Sequence, residues 1–287
     1  MALRDLLVQV DQSERAALRL RLAADLARRH RSRLTAIFVR ELNPAELHLR
    51  SVAELGLGSA SAIDRVGEHI QKSIDAAEEW LRFELDELQR EFELEVEWRC
   101  LDGVGSVVVP QHARFADLCI VGQDVSPTNT ATGYTFSEQL LFVTGRPVVF
   151  IPAQGSFDAL GRHILVAWNS SRPSTRAVND ALPLIERAER VTVLAVNPTE
   201  FAKRYGALPP QQMLEHLRRH GAAVEGVWLE DVPTAAIADA LQHEAHKAGA
   251  DMIVAGAFGH PKLWEKLMGG VTRDLLARMS LPIFMSY

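Results

Sequence analysis

Short apolar runs alternate with longer stretches of helical spacing along the whole chain, and the alternation is written twice. LLVQVDQS (Leu6 to Ser13) and ILVAWNSS (Ile164 to Ser171) are both apolar strands ending in a polar turn. Each precedes a predicted helix, Ser13 to Arg29 and Pro173 to Ala188; in the second, Ala177, Ala181, Leu184 and Ala188 recur at helical spacing. LTAIFV (Leu34 to Val39) then matches VTVLAV (Val191 to Val196), ADLCIVG (Ala116 to Gly122) matches ADMIVAG (Ala250 to Gly256), and GRPVVFI (Gly145 to Ile151) matches SLPIFMS (Ser280 to Ser286). Five matched places in one order point to a duplication.

Between the landmarks, the first half predicts a long helix from Ser61 to Phe92, a strand over Leu94 to Cys100 and a helix over Val104 to Phe115. The second half predicts a strand over Ala223 to Leu229 and a helix near Pro233 to Ala248. Strands that alternate with helices, and are apolar on both faces as in DMIVAG, form a parallel sheet covered on each side. The expectation is an α/β chain of two tandem doubly wound domains, residues 1–153 and 154–287, joined by a short linker around Pro152 to Gly161. Trp80, Leu81, Phe83, Leu85 and Leu88 give the long helix more apolar surface than a solvated helix needs, so it covers the domain junction or makes an oligomer contact.

Composition narrows the function. The 287 residues are 47% hydrophobic and 24% charged, as in an ordinary globular protein. A net charge of -6 and a pI near 5.9 argue against broad nucleic-acid binding. Asp5 and Asp11 interrupt the start where a secretory signal needs an unbroken apolar core, and no later run approaches a membrane span, so a cytoplasmic location is expected. Cys100 and Cys119 sit in strand-like runs and read as reduced core thiols.

In doubly wound sheets ligands bind at the carboxyl ends of strands. The loops concerned follow Val10, Val39, Val121, Trp168, Val196 and Ala255. The last of them reads GAFGHPKLWEKLMGGVTRDL, from Gly256 to Leu275. A strand, a glycine-rich loop and a helix start bring unpaired N–H groups and the positive helix end together, which suits a phosphate; glycines also serve a loop that merely turns. His260, Lys262, Lys266 and Arg273 suit an anion or an ordinary surface equally, and Trp264 is a packing anchor or a stacking platform.

Gly256, Gly259 and Gly269, with two and nine residues between them and GGVTRDLL following, resemble the nucleotide-binding signature of the universal stress protein family. The resemblance covers nearly the whole chain and identifies it as a tandem member. It implies a five-stranded parallel sheet of order 3-2-1-4-5 in each half, with PVVFI and PIFMS pairing as an internal pseudo-dimer, or a homodimer between chains. It implies an adenine nucleotide (ATP, ADP or AMP, with Mg for a triphosphate) in the second domain. Asn169 stands at the family aspartate near the adenine, Val196 and Asn197 lie beside base and ribose, and Gly256, Gly259, His260, Gly269, Gly270, Val271 and Thr272 surround the phosphates. Gly270 departs from the family's serine or threonine, a hydroxyl that Thr272 would have to replace. In the first half Asp11 and Val39 are kept, but Val125, Tyr134 and Thr135 stand where Gly259, Gly269 and Gly270 do, so that half serves packing and partner contacts.

Other motifs fall short of their chemistry. His243 and His246 miss the i, i+4 spacing of the metalloprotease pattern, and DGVGS (Asp102 to Ser106) has Val108 for its third glycine. There is no G-x-S-x-G elbow and no G-x-x-x-x-G-K-[ST] loop. NSSRPS (Asn169 to Ser174) lacks the glycines of an adenylating enzyme. The expectation is a nucleotide-binding stress or signalling protein with at most slow ATP hydrolysis; the alternative is an interaction module that acts through protein partners without nucleotide.

Overall fold

The computed structural model describes residues 2–40, 60–124, 135–206, 208–258 and 270–287. Its first half contains β1 (Asp5–Val10), α1 (Ala16–His30), β2 (Arg33–Arg40), α2 (Ala60–Phe92), β3 (Val96–Asp102), α3 (Gly105–Ala113), β4 (Leu118–Gly122), α4 (Phe136–Thr144) and β5 (Val148–Ile151). The second half contains β6 (His163–Ala167), α5 (Arg172–Ile185), β7 (Arg190–Val196), α6 (Pro198–Tyr205), α7 (Gln211–Arg219), β8 (Val224–Leu229), α8 (Ile237–Ala248), β9 (Met252–Gly256), α9 (Gly270–Ala277) and β10 (Ile283–Ser286).

The strands form one ten-stranded sheet of order β3-β2-β1-β4-β5-β10-β9-β6-β7-β8. Read inward from either edge, the order is 3-2-1-4-5. Every pair within a half is parallel, while β5 and β10 meet antiparallel in the register Ile283↔Phe150, Phe284↔Val149 and Met285↔Val148. Left apart, these two would each expose an apolar edge; paired, all eight of their residues are buried. The sheet's two faces carry two apolar layers that run through both halves. Side chains of α1, α2, α5 and α7 pack on one face, and those of α3, α4, α8 and α9 on the other.

Several elements differ from expectation. The segment after β7 holds two short helices, α6 and α7, that the periodicity did not reveal; α7 buries only Leu214 and Leu217. The long helix α2 lies at the outer edge of the first half rather than at the junction. Leu81, Leu85 and Leu88 pack toward α1, the Gln89 side-chain amide donates to the Val96 carbonyl of β3 at 3.1 Å, and Arg82 lies 5.7 Å over the Trp98 ring. The junction is formed by β5, β10 and the linker, whose Leu160 carbonyl accepts from Arg29 at 2.5 Å.

The same corner buries His30, whose Nε2 has no hydrogen-bond partner. Burial, with the Arg187 and Arg29 guanidinium groups, pushes its imidazole down to about 4. The unfolded chain therefore takes up a proton near pH 6.5 that the folded chain refuses until about pH 4. Stability is unaffected above the first value and falls between the two. A loss of about 2 kcal/mol between pH 7 and pH 5 is expected. Urea unfolding at the two pH values should show it, and His30→Leu should remove that part of the pH dependence.

Candidate functional site

At the carboxyl ends of the second-half strands, each loop begins with strained backbone. Ser170 after β6, Asn197 after β7, Asp231 after β8 and Phe258 after β9 have φ of 58, 52, 59 and 54°, in the left-handed region. Among the described residues the remaining non-glycine cases, Arg31 and Glu93, stand at the ends of α1 and α2. Such backbone costs on the order of 1 kcal/mol per residue and concentrates where a loop is held for function.

Polar side chains fix these loops. The Ser171 N–H donates to Asn169 Oδ1 at 3.1 Å, and Ser171 Oγ caps α5 by accepting from the Ser174 N–H at 3.3 Å. The buried Asn197 amide pairs both ways with Val232: its Nδ2 donates to the carbonyl at 2.7 Å and its Oδ1 accepts from the N–H at 2.9 Å. Thr199 Oγ1 donates to Glu230 at 2.5 Å, which ties the loop after β7 to the loop after β8 a second time. Val196, just before Asn197, is buried in the core.

Gly256 has a packing role. A Cβ built on it would stand 2.7 Å from the Pro173 carbonyl oxygen and still closer to the Ser174 amide nitrogen, so the missing side chain lets the first turn of α5 rest on the end of β9. Gly270 is the opposite case, with nothing within 4 Å of an added Cβ at the start of α9. Thr272 is buried, and its Oγ1 accepts from the Phe258 N–H at 3.2 Å. Its hydroxyl thus closes the base of the glycine loop, and Val271 beside it is half-buried. Gly259, His260 and Gly269, with Lys262, Trp264 and Lys266, lie outside the described residues.

The corresponding places in the first half hold the chain's own charges. Arg19, 2% exposed, donates from Nε to the Gln9 carbonyl at 2.6 Å and pairs with Asp11 at 2.9 Å. Its Nη1 occupies the space into which a Cβ of Gly122 would project. Burial raises the Asp11 carboxyl, but the Arg19 guanidinium and hydrogen bonds from Ser13 prevail and hold it below its ordinary value. At the start of α4 the Asp124 carboxylate accepts from the Ser137 N–H at 2.9 Å, where an external anion would otherwise sit. Thr135 and Glu138 close a capping box over the same turn. Counting from the matched strands, Ala177 stands at the place of Arg19. Without that cation the second half needs no counter-charge, and Asn169 makes the same turn as Asp11.

Motifs outside the mouth have structural explanations. His246 Nε2 lies 2.8 Å from Ser280 Oγ, and no group of three His, Cys, Asp or Glu among the described residues is arranged for a metal. Gly103 of DGVGS turns the chain into α3. Cys100 donates to Glu78 at 3.3 Å and is pushed up to about 11 by burial and by that carboxylate; burial raises Cys119 to about 12. Both are thiols at neutral pH.

Comparison with known proteins now bears on this geometry. Residues 161–286 match the sequence model of the universal stress protein family. No curated protein matches the chain. A universal stress protein from Archaeoglobus fulgidus DSM 4304 superposes with a TM-score of 0.69 at 16% identity, over 98% of this chain and 95% of its own. A protein of Pseudomonas aeruginosa UCBPP-PA14, described as a universal stress protein, gives 0.57 at 15% identity over 99% and 93%. These likenesses carry the fold along the whole chain, beyond the matched half.

Proposed function

We propose, from the premise that residues 161–286 form a universal stress protein domain, that the second half binds an adenine nucleotide and that the chain acts as a stress-response or signalling protein rather than by catalysis. The two units are taken as 1–153 and 154–287, in a cytoplasmic protein. Among the described residues no helix is long and apolar enough to cross a membrane. The observation that carries the reading is the left-handed residue after each of β6, β7, β8 and β9, in the half that matches the family. The ligand class, AMP, ADP or ATP with Mg, is what the glycine spacing implies.

The chain's own residues supply a fitting frame. The α9 N-terminus presents first-turn amides and the positive end of a helix, which suit a phosphate, and a Cβ added at Gly270 would meet nothing within 4 Å. Asn197 and Asn169 hold the strand-end loops that would flank base and ribose.

Thermal melting with AMP, ADP and ATP tests the proposal: a rise in melting temperature supports it, and unchanged melting at millimolar nucleotide overturns it. Thr272 is engaged with Phe258, so the hydroxyl missing at Gly270 can be supplied. Gly270→Ser fits the open space and adds one hydrogen bond, worth about 1 kcal/mol or roughly five-fold in affinity. Titration calorimetry of the two proteins should show that tightening.

A further inference from the structure

Both ends of the glycine loop are fastened to the first half. At its start, Phe258 stacks on Phe142 of α4 with ring centroids 4.6 Å apart, and Tyr287 meets the Phe142 ring edge-on at 5.2 Å. At its end, Arg273 in the first turns of α9 pairs with Glu138 of α4 at 2.5 Å. The carboxylate is 2% exposed and holds the capping box with its other oxygen, so it is a fixed post rather than a mobile surface acid. The bond from the Phe258 N–H to Thr272 Oγ1 joins the two fastenings. Because β5 and β10 run antiparallel, α4 extends from the mouth of its own half toward the mouth of the other, which brings Phe142 to Phe258.

We infer that Glu138 and Phe142 of the first half are positioning residues for the phosphate-binding end of the second-half site. The first half, in which Asp124 occupies the start of α4, serves as the frame on which Phe258 and the start of α9 are mounted. This rests on the reading of the second-half mouth as a nucleotide site, but its first test needs no nucleotide. The stack adds a first-half ring to the edge-on contact that Phe258 makes with Tyr287 at 6.0 Å, and the ion pair joins Arg273 to a first-half carboxylate. An untethered α9 start would present its amides to phosphate in many orientations, and preorganisation is what makes such donors effective.

Amide hydrogen exchange on the full chain provides the test. In Phe142→Ala, exchange over residues 270–277 and at Phe258 is expected to quicken at least ten-fold, with α8 and β8 unchanged. Glu138→Gln keeps a side chain suited to the capping box while removing the charge facing Arg273, and is expected to quicken the same residues by a smaller factor. If both variants exchange like the wild type there, or quicken equally in every element, the inference is overturned; should Phe142→Ala fail to fold, Glu138→Gln decides alone. The second arm compares AMP with adenosine in both variants. AMP affinity is expected to fall about five-fold with adenosine unchanged, whereas an equal fall for both overturns the positioning role. A wild type that binds neither defeats the proposed function and leaves the exchange result to decide the tethering.

Discussion

Alanine at Gly256 is expected to destabilise the protein by about 3 kcal/mol, the upper range for overpacking by one methyl group, because its Cβ meets backbone and not a pliable side chain. The Pro173 carbonyl and the Ser174 amide belong to the capped first turn of α5, which Ser171 Oγ holds in place. Relief would need either α5 to lift from β9 or the end of β9 to leave its pairing with β10 at Ser286. Gly270→Ala is the internal control. Its Cβ enters open space and it is the first residue of α9, so a change within about 0.5 kcal/mol, or a slight gain from helix propensity, is expected. Chemical denaturation of the two variants separates a glycine required for packing from one left free, although both stand in the same motif.

Replacing Asp11 by Asn is expected to cost about 3 kcal/mol, since it strands the Arg19 guanidinium, 2% exposed, beside a neutral amide. The figure sits at the low end for broken buried pairs because Asp11 itself is 39% exposed and the Gln9 carbonyl continues to accept from Arg19. Removing both charges, Asp11→Asn with Arg19→Met, should recover more than half of the loss, because the desolvated cation then disappears. The pair also has a pH signature. The folded carboxyl is held below its ordinary value, so its contribution is present above about pH 4 and fades as the pH falls through the lowered folded value. Melting curves of the wild type and both variants from pH 7 to pH 3 check the sign: the wild type's advantage over Asp11→Asn should shrink toward the acid end.

The doubly wound order was legible because it rests on repetition. Paired runs such as ADLCIVG and ADMIVAG bury the same positions in β4 and β9, and the two final strands are apolar throughout. What periodicity missed was short or mutual. The helices α6 and α7 have eight and nine residues, too few turns to show an apolar stripe, although Pro198 and the pair Pro209 and Pro210 marked their starts. Arg19 carries no sign in the sequence of being buried, because only its distance from Asp11 and Gly122 in the fold makes it a core residue. Glu138 and Phe142 lie far along the chain from Arg273 and Phe258, and no spacing rule joins them. For the candidate site the glycine spacing ran two roles together: Gly256 packs a helix, while Gly270 stands free.

The antiparallel meeting of β5 and β10 also fixes where the two mouths can face. All strands of the first half end on one rim of the sheet and all strands of the second on the opposite rim. The two sets of strand ends therefore open in opposite directions. Among the described contacts, those that join the two mouths cross the β5–β10 seam and link α4 to Phe258 and to α9.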